Sequence, residues 1–159
     1  MSEQQAQEAQ QPVFSIQKLY ITDVSLESPN APMAFMEQAA PEISVNFQNQ
    51  ARGFEGGFYE VSLKVTAEAK LEDRTLFLVE VTQAGLFNIE NVPAEEMDAL
   101  MGIGCPSILF PYLREAVSDL TTRAGFAPLL LQPVNFEAIF MQQRMEQQAQ
   151  AEGNAQTTH

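Results

Sequence analysis

The chain carries little of what redox or metal chemistry needs. Cys105 is the single cysteine among 159 residues, so no intramolecular disulfide can form. His159 is the single histidine, and one cysteine with one histidine cannot complete a four-ligand structural zinc site. Basic residues are scarce: 8 Lys and Arg stand against 21 Asp and Glu, a net charge of −13. Such a surface repels nucleic acid and anionic lipid and attracts basic partners. No stretch reaches the roughly 18 apolar residues of a membrane span. The opening MSEQQAQEAQQP has no basic region followed by an apolar run, so it does not read as a signal peptide. The expectation is a cytoplasmic protein with no metal and no cofactor.

Catalytic arrangements are missing too. No Ser or Cys lies near a histidine in an interpretable motif, and Gly102 and Gly104 do not make a phosphate-cradling loop. Glu95 and Glu96 are adjacent and diverge on a helix. Cys105 has no identifiable base and reads as a buried structural thiol. No catalytic residue is assigned, and the chain is not expected to be an enzyme.

What is present is alternation. A chain of 17.6 kDa suits one domain burying roughly 68–70% of its unfolded surface. In FYEVSLKVTAEAKL, Tyr59, Val61, Leu63, Val65, Ala67, Ala69 and Leu71 alternate with polar residues, the period of a strand with one buried face. LFLVEVTQAGLFNI repeats the pattern with Phe77, Val79, Val81, Phe87 and Ile89. A turn centred on Asp73 keeps both odd sets on one face, pairing Leu71 with Thr75, Ala67 with Val79 and Val65 with Val81. The even positions Leu76, Leu78 and Leu86 beside Glu80 are unexpectedly apolar. Either a neighbouring element or subunit covers them, or they form a docking surface.

The first strand, Val13 to Glu27, is apolar on both parities, through Phe14, Ile16, Tyr20, Val24 and Leu26 and through Leu19 and Ile21. It is central, covered by a partner subunit, or bulged near Lys18. SPNAPMAF follows as a crossing loop, and Glu42 to Ala51 is a further strand. RGFEGG, Arg52 to Gly57, is expected to be a mobile connection. Pro93 with AEEM starts a short helix that Gly102 and Gly104 should end. A longer helix runs to a Gly125 cap, with Pro111 demanding a first-turn position or a kink. Asn135 caps a last helix. The plan is α+β: a four-stranded antiparallel sheet packed with two main helices. Residues 1–12 and 145–159 read as disordered tails around a single domain, 13–144. Ile43, Val45 and Phe47 on one strand face, Phe35 in the crossing loop, and Phe136 and Phe140 on the last helix are either ordinary core or the apolar lining of a groove for a bound chain.

Five segments, in order, resemble the SecB family of bacterial protein-export chaperones: YITDVSLESPNAP, FYEVSLKVT, FLVEVTQAGLF, CPSILFPYLRE and PVNFEAIF. The resemblance spans about Val13 to Met141. Where the family often has a tryptophan after SPNAP, this chain has Phe35 and Met36. The resemblance implies a homotetramer, a dimer of dimers, with the helix from about Pro106 between the sheets of two dimers. It implies binding of unfolded preproteins, without nucleotide, for delivery to the ATPase SecA. It implies a SecA-docking surface at Asp23, Glu27, Leu78 and Glu80. Apart from the resemblance, an oligomeric adaptor for one folded partner and a carrier of a small apolar ligand stay open.

Overall fold

The computed structural model describes residues 10–156. Four strands, β1 (Val13–Glu27), β2 (Glu42–Phe54), β3 (Phe58–Leu71) and β4 (Arg74–Glu90), form one antiparallel sheet in the order β1-β4-β3-β2. A 3-10 turn, Met33–Met36, lies in the crossing loop between β1 and β2. Helices α1 (Ala94–Ala99), α2 (Cys105–Arg123) and α3 (Phe136–Gln156) follow.

The hairpin of β3 and β4 is the centre of the sheet. Ala67 pairs with Val79 and Val65 with Val81, as the alternation requires. The turn itself is tighter than the sequence suggests. Leu71 pairs with Arg74 rather than Thr75, and a two-residue turn with Glu72 at φ 56° closes the hairpin. The register shifts between Ala69 and Lys70, leaving Leu76 as an extra residue on β4. That bulge turns Leu76 into the core, where it is 5% exposed beside Phe77 at 4%. Leu76 therefore does not share the outer face with Leu78.

Bulges also resolve the two-sided pattern of β1. Its pairing with β4 slips between Ile16 and Lys18 and again between Ile21 and Asp23. Each slip reverses the parity, so Phe14, Ile16, Leu19, Ile21, Val24 and Leu26 all fall on the inner face. β1 has one apolar face, and it lies at the edge of the sheet.

α2 packs its buried Leu109, Leu113, Ala116 and Val117 across the inner faces of β3 and β4. Val61, Val65, Ala67, Val79, Val81, Leu109 and Leu113 are all fully buried there. α1 is not ended by glycine. A π-helical stretch, Leu100–Gly104, joins it directly to α2. A Cβ at Gly102 would fall 2.5 Å from the Phe140 ring, so this glycine permits α3 to sit close rather than stopping a helix. Pro111 lies inside α2 on its exposed side. Thr121 Oγ1 receives the Leu129 N–H at 2.9 Å and so ties the segment after α2 back to the helix. At Asn135, Oδ1 accepts the Ala138 N–H at 3.0 Å, the expected cap.

Part of an expected connection and part of an expected tail are regular structure instead. Arg52 to Phe54 continue β2, leaving a short turn before β3. α3 continues to Gln156 through the stretch from Met145 expected to be a disordered tail. Of the expected tails, residues 1–9 and 157–159 lie outside the described residues. Among the described residues no helix is long and apolar enough to cross a membrane.

Leu109 is 0% exposed against the central strands. Leu109→Ala should cost about 2–5 kcal/mol through lost transfer energy and a residual cavity, read as a lowered denaturant midpoint with an unchanged slope.

Candidate functional site: an outer acidic face and an inner apolar surface

The two faces of the sheet carry different chemistry. On the outer face Glu27 pairs directly with Leu78, Ser25 with Glu80, and Asp23 with Thr82. Asp23, Glu27, Leu78 and Glu80 therefore lie on adjacent rungs of β1 and β4, facing away from α2. Leu78 is half-buried, with Glu27 of β1 and Glu68 of β3 on the rungs to either side and Glu80 next along β4, while Asp23 lies two same-face rungs away beside Thr82. From β3, Thr66 donates its hydroxyl to Glu80 Oε1 at 3.2 Å, orienting that carboxylate across the strands.

Further along the same face a polar network crosses the sheet with side chains from three strands, β1, β3 and β2. Tyr20 donates its phenol to Glu60, and Arg52 Nε donates to the same carboxylate at 2.9 Å. Tyr20 reaches across because the β4 residue paired with it is the small Ala84. Burial, then the hydrogen bond and charge of Glu60, push the Tyr20 phenol up to about 12 against the opposing pull of Arg52. The Tyr20 hydrogen bond, aided by Arg52, lowers the Glu60 carboxyl against the effect of burial.

The inner face offers apolar surface at its edge. The loop and the β2 end of the sheet enclose a cavity of about 400 Å³ lined by Phe35, Ile43, Leu76, Phe77, Phe126 and Leu129, among others. Three rings form its wall: Phe77 to Phe126 at 5.0 Å and Phe126 to Phe35 at 5.1 Å between centroids. Phe35 and Ile43 remain 49% and 47% exposed. From this cavity the inner side of β2 continues through Val45 to Phe47, whose ring lies 6.0 Å from Phe110 of α2. A second hollow of about 300 Å³ follows, lined by Asn49, Met101, Gly102, Phe140 and Arg144. Arg144 stacks over Phe140 at 5.0 Å.

Of the six apolar candidates, the structure puts Phe35 and Ile43 in one cavity and Phe140 in the other, with Val45 and Phe47 between them. Phe136 differs. It is 7% exposed, edge-on to Phe110 at 5.9 Å, and belongs to the packing behind the surface. The sequence reading missed Leu76, Phe77 and Phe126 as cavity walls. FAPLLL looks like a plain apolar connection, and only the position of α2 brings Phe126 beside β4. Cys105 is fully buried, and burial pushes its thiol up to about 12. Among the described residues no cluster of His, Cys, Asp and Glu could hold a metal ion.

Comparison with known proteins shows the family. The family model described as preprotein translocase subunit SecB matches residues 7–148. The chain belongs to the SecB family. It is 58% identical over 150 residues to the protein-export protein SecB of Thiobacillus denitrificans, covering 94% of this chain and 98% of that one. Identity to the protein of the same name from Chromobacterium violaceum is 56%, covering 98% and 100%. For Neisseria meningitidis it is 54%, covering 90% and 96%. A SecB-like chaperone from Mycobacterium tuberculosis, solved in complex with a peptide from an antitoxin, shares the fold at a TM-score of 0.64 and 20% identity, covering 76% of this chain and 90% of that one.

The outer network has a pH signature of definite sign. The Tyr20 pKa is raised in the folded state, so its contribution is complete below the ordinary phenol value and is lost as pH rises toward about 12. The Glu60 pKa is lowered, so its contribution is present above the ordinary carboxyl value and is lost as pH falls through the folded one. Ultraviolet titration of the native protein should show a phenol ionising near pH 12 that Tyr20→Phe removes. Survival of that step in the variant would contradict the network.

Proposed function

We propose that this chain is an ATP-independent holdase of protein export, which binds unfolded preproteins and delivers them to SecA. Family membership carries the class of activity. The observation that carries the mechanism is the interrupted apolar surface from the Phe35 cavity along β2 to Phe140, left open at the edge of an otherwise dry core.

Such a surface suits a client with no fixed structure. One fully buried aromatic or leucine anchor is worth roughly 1.5–3 kcal/mol. Association and ordering cost about 4–15 kcal/mol. Two shallow hollows on one subunit therefore hold little, and useful capture requires the same surface repeated on one assembly. The unpartnered inner face of β1 supports that assembly. Phe14, Ile16, Ile21 and Val24 are each 40–46% exposed on the side where α2 covers the two central strands. Tyr112 of α2 and Leu130 beyond it are exposed too. A patch of this kind calls for a partner, and a second and further copy of the same chain, as a dimer of dimers, is the occupant we assign.

SecA docking is assigned to Asp23, Glu27, Leu78 and Glu80. One exposed ion pair contributes roughly 0.2–1 kcal/mol, so carboxylates alone hold a basic partner weakly. Leu78 adds apolar area beside Glu27 and Glu80, and the tetramer adds repetition. Client capture is assigned to Phe35, Ile43, Val45, Phe47 and Phe140, with Phe136 supporting them from behind. No catalytic step and no cofactor enters this activity.

Sedimentation in solution should give a mass near four times 17.6 kDa, and a lone monomer at micromolar protein would remove the basis for multivalent capture. The tetramer carries 4 × −13 = −52 charges, so it should loosen at low salt, where self-repulsion is least screened.

Glu80→Lys exchanges one attraction for one repulsion, about 0.4–2 kcal/mol, or roughly two- to thirtyfold in SecA affinity. The residual binding should also be less sensitive to salt. Capture of chemically unrelated unfolded chains, but not their folded forms, should persist in this variant. Loss of both activities from an intact tetramer would mean that the two surfaces are one. Selective binding of a single folded protein would favour the adaptor reading instead.

A further inference from the structure

We propose that Ser28 and Asn30 are positioning residues that hold Phe35 in place and so keep the 400 Å³ cavity preformed for one bulky apolar side chain of a client. β1 makes its last backbone pair with β4 at Glu27 and Leu78. Beyond it, Leu76 and Thr75 of β4 have no rung of β1 beside them. Two side chains of the crossing loop take over. Ser28 Oγ donates to the Leu76 carbonyl at 3.0 Å, and Asn30 Nδ2 donates to the Thr75 carbonyl at 2.7 Å. The ladder is thus continued by side chains after the backbone has left the sheet. An ion pair between Glu37 and Arg74 ties the far end of the loop to the same hairpin tip.

Asn30 works in two directions. Its main-chain carbonyl accepts the Ala34 N–H at 2.8 Å, closing the short turn that carries Phe35, while its side chain ties that turn to β4. Ala34, at 6% exposure, plugs the core beneath that turn. Phe35 itself is half exposed, and burial alone does not pin a side chain in that state. Its ring is fixed instead by Asn30 through the turn, by Phe126 on one side, and by Gly125 beneath. Gly125 sits at φ +93°, and a Cβ there would come 2.9 Å from the Phe35 ring. Without the two loop hydrogen bonds, the turn and its ring would sample many positions, and a client side chain would have to order them on binding. The bulge at Leu76 completes the device. It sends Leu76 and Phe77 together into the cavity wall, and it places the anchoring carbonyls of Thr75 and Leu76 next to the loop.

The placement of Phe35 stands on geometry alone; the role of the cavity rests on the holdase reading above. The experiment separates the two. The chain has no tryptophan, so Phe35→Trp provides a single reporter. In that background Ser28→Ala with Asn30→Ala should make the indole at least twofold more accessible to acrylamide, with the far-ultraviolet circular dichroism unchanged. The single substitutions should give intermediate values, and Ser28→Thr, which keeps the hydroxyl, should match the parent. Equal quenching throughout overturns the positioning role.

In the background that keeps Phe35, two soluble unstructured peptides are then compared, one with spaced phenylalanines and one with alanine at the same positions. The parent tetramer should prefer the first, and the double variant should lose most of that preference. A preference that survives the loss of quenching protection overturns preorganisation. A parent that binds neither peptide overturns the holdase reading, while the quenching result still decides the positioning role.

Discussion

A sheet of strands 13 to 17 residues long can have one dry face only if every strand keeps its apolar residues on that face from end to end. The constraint is severe, because side chains alternate strictly and a single uncompensated residue inverts everything beyond it. β3 meets it by unbroken alternation. β1 meets it with two bulges and β4 with one. The bulges are thus the corrections that let three differently patterned segments share one inner face with α2. The dry core at Val65, Val81 and Leu109 depends on them.

The same corrections separate the two working surfaces. Across Leu76, Phe77 and Leu78 the chain passes from cavity wall to outer face within three residues. Leu76 and Phe77 point inward because of the bulge; Leu78 and Glu80 point outward because the alternation resumes. Two chemically opposed surfaces, one apolar and one acidic, lie back to back across one strand. The sheet between them keeps the carboxylates away from the apolar surface. It also keeps exposed leucine area beside charges that discourage non-specific association.

Exposure at the inner edge runs against the logic of a monomeric fold. Burying Phe14, Ile16, Ile43 and Val45 would stabilise the chain, yet α2 is centred on β3 and β4 and reaches neither edge strand fully. The two edges differ in their surroundings. The inner side of β1 is a flat strip beside α2, fit for another large surface. The inner side of β2 is flanked by the crossing loop and α3, whose aromatic side chains divide it into hollows, fit for separate side chains of an extended chain. Phe35 and Phe140 wall the two hollows, and Met101 adds a side chain that adapts to many shapes beside the second.

Much of this was determined by the sequence alone. Unbroken alternation selected the hairpin and the inner register at Val65 and Val81. The helix periods and the caps at Gly125 and Asn135 located α2 and α3. The parities within each pair placed Asp23 with Glu27 and Leu78 with Glu80. These are local properties, set by periods of 2 and 3.6 and by the chemistry of chain ends. What the sequence could not decide was where the ladder slips, because a bulge is chosen by the energy of all the facing rows together. Only tertiary packing moved Leu76 inward, put both parities of β1 on one side, and carried the helix through Gly102 to meet Phe140. It also brought Ser28 and Asn30, 45 or more residues from their partners in sequence, onto the carbonyls that hold the loop. Such contacts have no period to announce them; they exist because the crossing loop leaves β1 alongside the stretch of β4 whose carbonyls β1 no longer pairs.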